Sequence, residues 1–148
     1  LVEAFKSTLE EAKYADFILH VVDMSSPRME EQMHVVYETL RRLEVMNKPV
    51  ITVFNKIDRT GEGQIVRDFQ AERTVRVSAR TGEHLEELLK AMEEVLREQK
   101  IYIERLYSYS EAGKVQLIRK FGELVSEEWE ENGVRIRAYV PREIYGKV

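Results

Sequence analysis

Three polar side chains crowd into four positions where an apolar run ends. In VITVFNKID, residues 50–58, Asn55, Lys56 and Asp58 follow a stretch with the continuous hydrophobicity of a buried strand. The chemistry open to this cluster is specific. A carboxylate offers two acceptor oxygens, and guanine presents two adjacent donors, N1–H and N2–H₂, where adenine presents no such pair. Asp58 suits that edge. The Asn55 amide suits the N7 and O6 side of the base and can tie neighbouring loops together. The Lys56 stem can lie flat on the ring while its ammonium stays in water. Guanine O6 then needs a donor. A second loop, SARTG at residues 78–82, ends the next apolar stretch. The Ala79 N–H is expected to reach O6, Ser78 to hold the turn through its hydroxyl, and Arg80 to share that loop. The plainer alternative is a polar loop with a capping aspartate and a surface lysine. Its place at a buried strand end, and the Ser-Ala pair after the following strand, weigh against that alternative.

The elements that must position these loops are legible as periodicities. Leu1, Phe5, Leu9 and Ala12 recur at helical spacing. FILHVVD, residues 17–23, reads as a strand covered on both faces, and MSSP as a loop. Met29, Met33, Val36, Leu40 and Leu43 share one helical face, with Asn47 and Pro49 as stops. VITVFN is a second strand, residues 59–70 a polar loop, and TVRVS a third strand. Leu85, Leu88, Leu89, Met92, Val95 and Leu96 then form an amphipathic helix. Alternating helices and two-sided strands predict an α/β fold with a parallel sheet. Ligands in such sheets bind beyond the carboxyl ends of the strands, where both polar loops lie.

From about Lys100 the pattern changes. IYIERLYSYS predicts a strand. EAGKVQLIRKFGELVSEEWEEN predicts a helix with Val115, Ile118, Phe121, Val125 and Trp129 near one face, ended by Gly133. VRIRAYV alternates as a half-exposed strand. The expected organisation is a body over residues 1–99 and a small β-α-β domain over 100–148. The body holds 14 Lys/Arg against 19 Asp/Glu, and the tail 9 against 8, so the tail is less acidic.

Across 148 residues, 43% are hydrophobic and 34% charged, with a net charge of -4, which argues against disorder and against a nucleic-acid binder recognised by basic excess. The absence of cysteine removes disulfide and thiolate chemistry and fits a reducing cytoplasm. No apolar run approaches the ~20 residues of a membrane helix, so no membrane partner is expected. His34 and His84 have no ligands at metal spacing, so no metal site is expected. His20 reads as a satisfied core histidine, the methionines at 24, 29, 33 and 46 as core filler, and Trp129 as packing inward. Arg135 and Arg137 read as a solvated face, with RNA phosphate as the second possibility. Tyr102, Tyr107 and Tyr109 are left open between packing and stacking.

NKID followed by SAR resembles the fourth and fifth motifs of the Ras-like, translation-factor-related GTPases. More narrowly, LVEAFKSTLEEAKYADFILHVVDMSSP, NKPVITVFNKID and GVRIRAYVP resemble the HflX family of GTPases. The resemblance implies a partial P-loop GTPase sheet with helices on both faces. It also implies GTP or GDP bound through Asn55, Lys56, Asp58, Ser78, Ala79 and Arg80. What the resemblance implies further is association with the large ribosomal subunit in the cytoplasm, ribosome splitting or rescue under stress, and GTP hydrolysis stimulated by the ribosome. The sequence departs from a complete GTPase. No G-x-x-x-x-G-K-[ST] occurs, and DRTG at 58–61 matches the D-x-x-G letters on the wrong loop. The stretch therefore reads as the second half of a GTPase domain plus a C-terminal domain. On this reading Mg²⁺ ligands belong to the intact parent, and no catalysis is expected from these residues alone. The strand at 17–23 is expected to expose an apolar edge that favours self-association. The alternative reading is a non-enzymatic α/β interaction module whose tail docks on a partner.

Overall fold

The computed structural model describes residues 7, 9–60 and 63–148. Two compact units divide it, Leu1–Val95 and Leu96–Val148. The first unit is the expected α/β body. Strands β1 (Ile18–Asp23), β2 (Val50–Asn55) and β3 (Arg73–Arg76) form a parallel sheet in the order β1-β2-β3. The register runs from Ile18 opposite Val50 to Asp23 opposite Asn55, so the two strands end side by side on polar residues. Part of the helix expected from Leu1 to Ala15 lies outside the described residues, Leu1 and Phe5 included. Within them, Glu10–Tyr14 forms a 3-10 helix.

β2 is central, and Val50, Ile51, Thr52, Val53 and Phe54 are all buried. Because alternate strand residues point to opposite faces, each sheet face carries its own cluster. On one face α1 (Met29–Arg42) lays Met33, Tyr37 and Leu40 over Val22, Val50 and Phe54. On the other, α3 (Leu85–Glu98) packs Ala91 and Val95 over Ile51, Val53, Val75 and Val77. Truncating a fully buried ring such as Phe54 to Ala would cost about 3–5 kcal/mol. The helix α1 stops earlier than Asn47 and Pro49 suggest. Glu44 turns left-handed at φ 59°, Val45 N–H donates to the Leu40 carbonyl, and Glu44 N–H to that of Arg41, the Schellman closure. β1 is not covered on both faces as expected. α3 sits over β2 and β3, and Leu19 and Val21 stay exposed, Val21 by 62%.

The loop before β3 is pinned from within. Asp68 Oδ2 accepts from the Tyr37 hydroxyl at 2.5 Å and from Thr52 Oγ1 at 2.6 Å. Burial, reinforced by donation to Asp68, pushes the Tyr37 phenol up to about 12. His20 meets Tyr37 edge-on at 5.3 Å. It is a core histidine, but its Nδ1 is buried without a hydrogen-bond partner among the described residues, and burial lowers its pKa.

The second unit corrects an expectation: it carries one strand more than β-α-β. β4 (Lys100–Tyr107) is followed by a Ser108–Glu111 capping box and α4 (Ala112–Phe121). The helix ends at Gly122, where an added Cβ would lie 2.8 Å from the Ile118 carbonyl oxygen and 3.0 Å from that of Tyr139. Glu123–Glu130, expected as helix, is β5, and β6 (Gly133–Pro141) lies between β4 and β5 in an antiparallel sheet. A spacing of four residues, Val125 to Trp129, satisfies a strand's period as well as a helix's, so the apolar positions did not discriminate. The turn between β5 and β6 rests on Gly133, at φ 153° and too close to the Tyr107 carbonyl for any side chain. The core is formed by Ile103, Tyr107, Val115, Ile118, Val134, Ile136, Ala138 and Val140, with Ile144 of the short α5 (Arg142–Tyr145). β5 contributes no buried residue. Trp129 is 67% exposed, not inward, and stacks on Tyr109 at 6.2 Å.

Candidate functional site

The parallel register brings three strand ends to one edge of the first unit. Asn55 is the last residue of β2. Lys56 follows at φ 73°, a left-handed conformation that costs a non-glycine residue about 1–2 kcal/mol. Asp58 stands in the first turn of α2 (Ile57–Thr60). The loop after β3 is drawn alongside by backbone bonds: Val77 N–H donates to the Phe54 carbonyl at 2.8 Å and Ile57 N–H to that of Val77 at 3.2 Å.

Side chains then lock the two loops together. Ser78 is fully buried. Its hydroxyl donates to Asp58 Oδ1 at 2.9 Å and accepts from Thr81 N–H at 3.1 Å, while Gly82 N–H closes the turn on the Ser78 carbonyl at 2.8 Å. This is the turn-holding role expected of Ser78. Each carboxylate oxygen carries two acceptor positions, so the Ser78 bond leaves Asp58 able to accept a pair of donors. The Asn55 amide oxygen accepts from Ala79 N–H at 3.0 Å. Asn55 therefore ties the loops as expected. The Ala79 N–H, the donor expected for guanine O6, is the one that Asn55 holds. Arg80 follows Ala79 on the same loop and is exposed.

One partner was missed at the sequence level. Lys56 Nζ lies 2.6 Å from Asp23 Oδ2, across from the end of β1. Asp23 Oδ1 accepts from both the backbone N–H (3.0 Å) and the hydroxyl (2.6 Å) of Ser25. Donation from Lys56 and then from Ser25 holds the Asp23 carboxyl down at about 2. The available signal was the pairing of HVVD with TVFN, which sets two polar strand ends next to each other. A separate cleft of about 380 Å³, lined by Phe54, Val66, Thr74, Val75, Arg76, His84 and Glu87, contains none of the six expected residues.

No family model matches the chain. Individual relatives do. The protein named GTPase HflX of Lacrimispora saccharolytica is 59% identical over 148 residues, all of this chain and 35% of that protein. GTPase HflX of Chlamydia pneumoniae is 36% identical, covering 99% of this chain and 32% of its own length. That of Caldanaerobacter subterraneus subsp. tengcongensis is 38% identical, covering 97% and 33%.

The chain belongs to the HflX family.

It spans about a third of the length of these HflX relatives. The three-stranded parallel sheet with helices on both faces fits a partial P-loop GTPase domain, the fold expected of an HflX segment. Among the described residues no helix of this HflX chain is long and apolar enough to cross a membrane, and no three His, Asp or Glu side chains gather as metal ligands.

Proposed function

We propose that this segment is the guanine-recognition part of a GTP-binding protein. The observation that carries the reading is the joining of Asn55, Asp58, Ser78 and Ala79 from two loops at the carboxyl end of a parallel sheet. There Asp58 accepts the paired N1–H and N2–H₂ of the base, and the Lys56 stem covers one face of the ring. The donor set fits a guanine: a carboxylate with acceptor capacity left, an amide able to exchange Ala79 for the base, and an apolar stem. On binding, the base oxygen replaces Asn55 as the acceptor of the Ala79 N–H. Mg²⁺ in a P-loop GTPase is held by a Ser/Thr hydroxyl of the phosphate loop and by the phosphates themselves, so its ligands are proposed for the intact protein. The 148 residues also hold no Gly-rich phosphate loop. Phosphate binding, GTP hydrolysis and association with the large ribosomal subunit, which the names of the relatives and the resemblance suggest, are functions proposed for the full-length protein. We place the domain boundary near residue 99, with the antiparallel sheet as the C-terminal domain.

The deciding experiment is Asp58→Asn in a full-length HflX protein carrying this segment. The amide replaces an acceptor by a donor, so preference should pass from guanine to xanthine nucleotides, with discrimination on the order of 10⁴-fold at stake. Unchanged preference for GDP over XDP in equilibrium binding refutes the role of Asp58.

A further inference from the structure

We propose that Asp23 is a positioning residue for base recognition: from the end of β1 it fixes the Lys56 ammonium so that the lysine stem forms a standing platform for one face of the guanine ring. The inference rests on the guanine reading above and adds to it a residue outside both loops. Three observations support it. The Lys56–Asp23 contact of 2.6 Å joins neighbouring strand ends, since Asp23 and Asn55 are register partners and Met24 N–H donates to the Asn55 carbonyl at 3.1 Å. The two Asp23 oxygens have separate tasks: Oδ1 takes both donors of Ser25, and Oδ2 takes Lys56. Lys56 follows β2 in a left-handed backbone conformation, at φ 73°.

Stability is a poor reason for this contact. Both side chains are more than a third exposed, and exposed ion pairs contribute little to folding. Orientation is a better one. A lysine stem has four rotatable bonds, and a stem fixed in advance does not have to be ordered when a ring settles on it. Ser25 stiffens the carboxylate, the carboxylate holds the ammonium, and the methylenes between are left in one place.

The test is equilibrium binding of guanosine and of GDP to the full-length protein, with ADP as control. Asp23→Ala should weaken both guanine ligands by about three- to tenfold, by the same factor, because the loss is in the base platform. Its preference for guanine over xanthine should be unchanged, since Asp58 makes that choice. Lys56→Met, which keeps the stem without its charge, should weaken binding similarly, and adding Asp23→Ala to it should change nothing further. Matching thermal transitions establish that the variants fold. Full affinity in Asp23→Ala, a loss for GDP with guanosine untouched, or additive losses in the double variant each overturn the proposal while leaving the guanine reading intact. Equal affinity of the unaltered protein for GDP and ADP overturns both.

Discussion

Asn55 and Ala79 are hydrogen-bonded across 24 positions of sequence, the amide oxygen of one accepting the backbone N–H of the other at 3.0 Å. This bond joins the two loops before any ligand arrives. In Asn55→Ala the Ala79 N–H loses its acceptor. Its hydrogen exchange should accelerate by about fivefold, the equivalent of a bond contributing about 1 kcal/mol. Amide-resolved exchange by NMR measures it, and an Asn55→Asp variant, which keeps an acceptor, should retain most of the protection.

Ser78 is the other tie. Its buried hydroxyl serves Asp58 and Thr81 together. Ser78→Ala leaves both without that partner, which should cost about 1–3 kcal/mol. In thermal unfolding the transition of the first unit should fall by several degrees, at roughly 4–8 °C per kcal/mol for a domain of this size. A transition within a degree of the parent would show that water replaces the hydroxyl.

Acid should dissolve the Lys56 anchor late. The Asp23 carboxyl lies at about 2, below the ordinary carboxylate value. A depressed carboxylate stabilises the folded chain above the pKa of its unfolded form, and the contribution is lost as pH falls from about 4 towards 2. A carboxyl-carbon NMR titration of Asp23 should show this midpoint. In Lys56→Met the midpoint should rise towards the ordinary range, because the largest cause of the depression is gone.

Trp129 is the sole tryptophan, so its emission reports the outer edge of the second unit without interference. On an exposed strand and stacked on Tyr109, it should emit at long wavelength and be readily quenched by acrylamide. A buried, weakly quenched tryptophan would restore the inward helix that the sequence suggested.

The parallel sheet and the central site were legible because their signals are local and physical. VITVFN is short, β-branched and continuously apolar, the composition of a strand buried on both faces, and a polar cluster at its end sits where such sheets bind ligands. The Ser78 turn was legible for the same reason, as a small hydroxyl residue opening a Gly-containing loop. Other features required distances in space. Asp23 lies 33 positions from Lys56, and only the strand register brings them together. The bond from the Ala79 N–H to the Asn55 amide oxygen likewise spans 24 positions and shows only in the fold. Arg135 and Arg137 lie on a partly exposed face as expected, but their partners needed the fold: Glu130 takes the first at 2.6 Å, and Glu104 and Glu128 flank the second at 3.2 and 3.3 Å. β5 was misread because its apolar residues fall at a spacing common to both periodicities.

The left-handed backbone of Lys56 also bears on how such a protein can be made more robust. Glycine at that position would relieve the backbone, worth about 1 kcal/mol, yet it would erase the stem that the base is proposed to rest on. A thermostability screen blind to ligand would therefore favour an apparently improved protein with a weakened grip on its nucleotide. Position 56 is one where selection for endurance and selection for recognition pull in opposite directions.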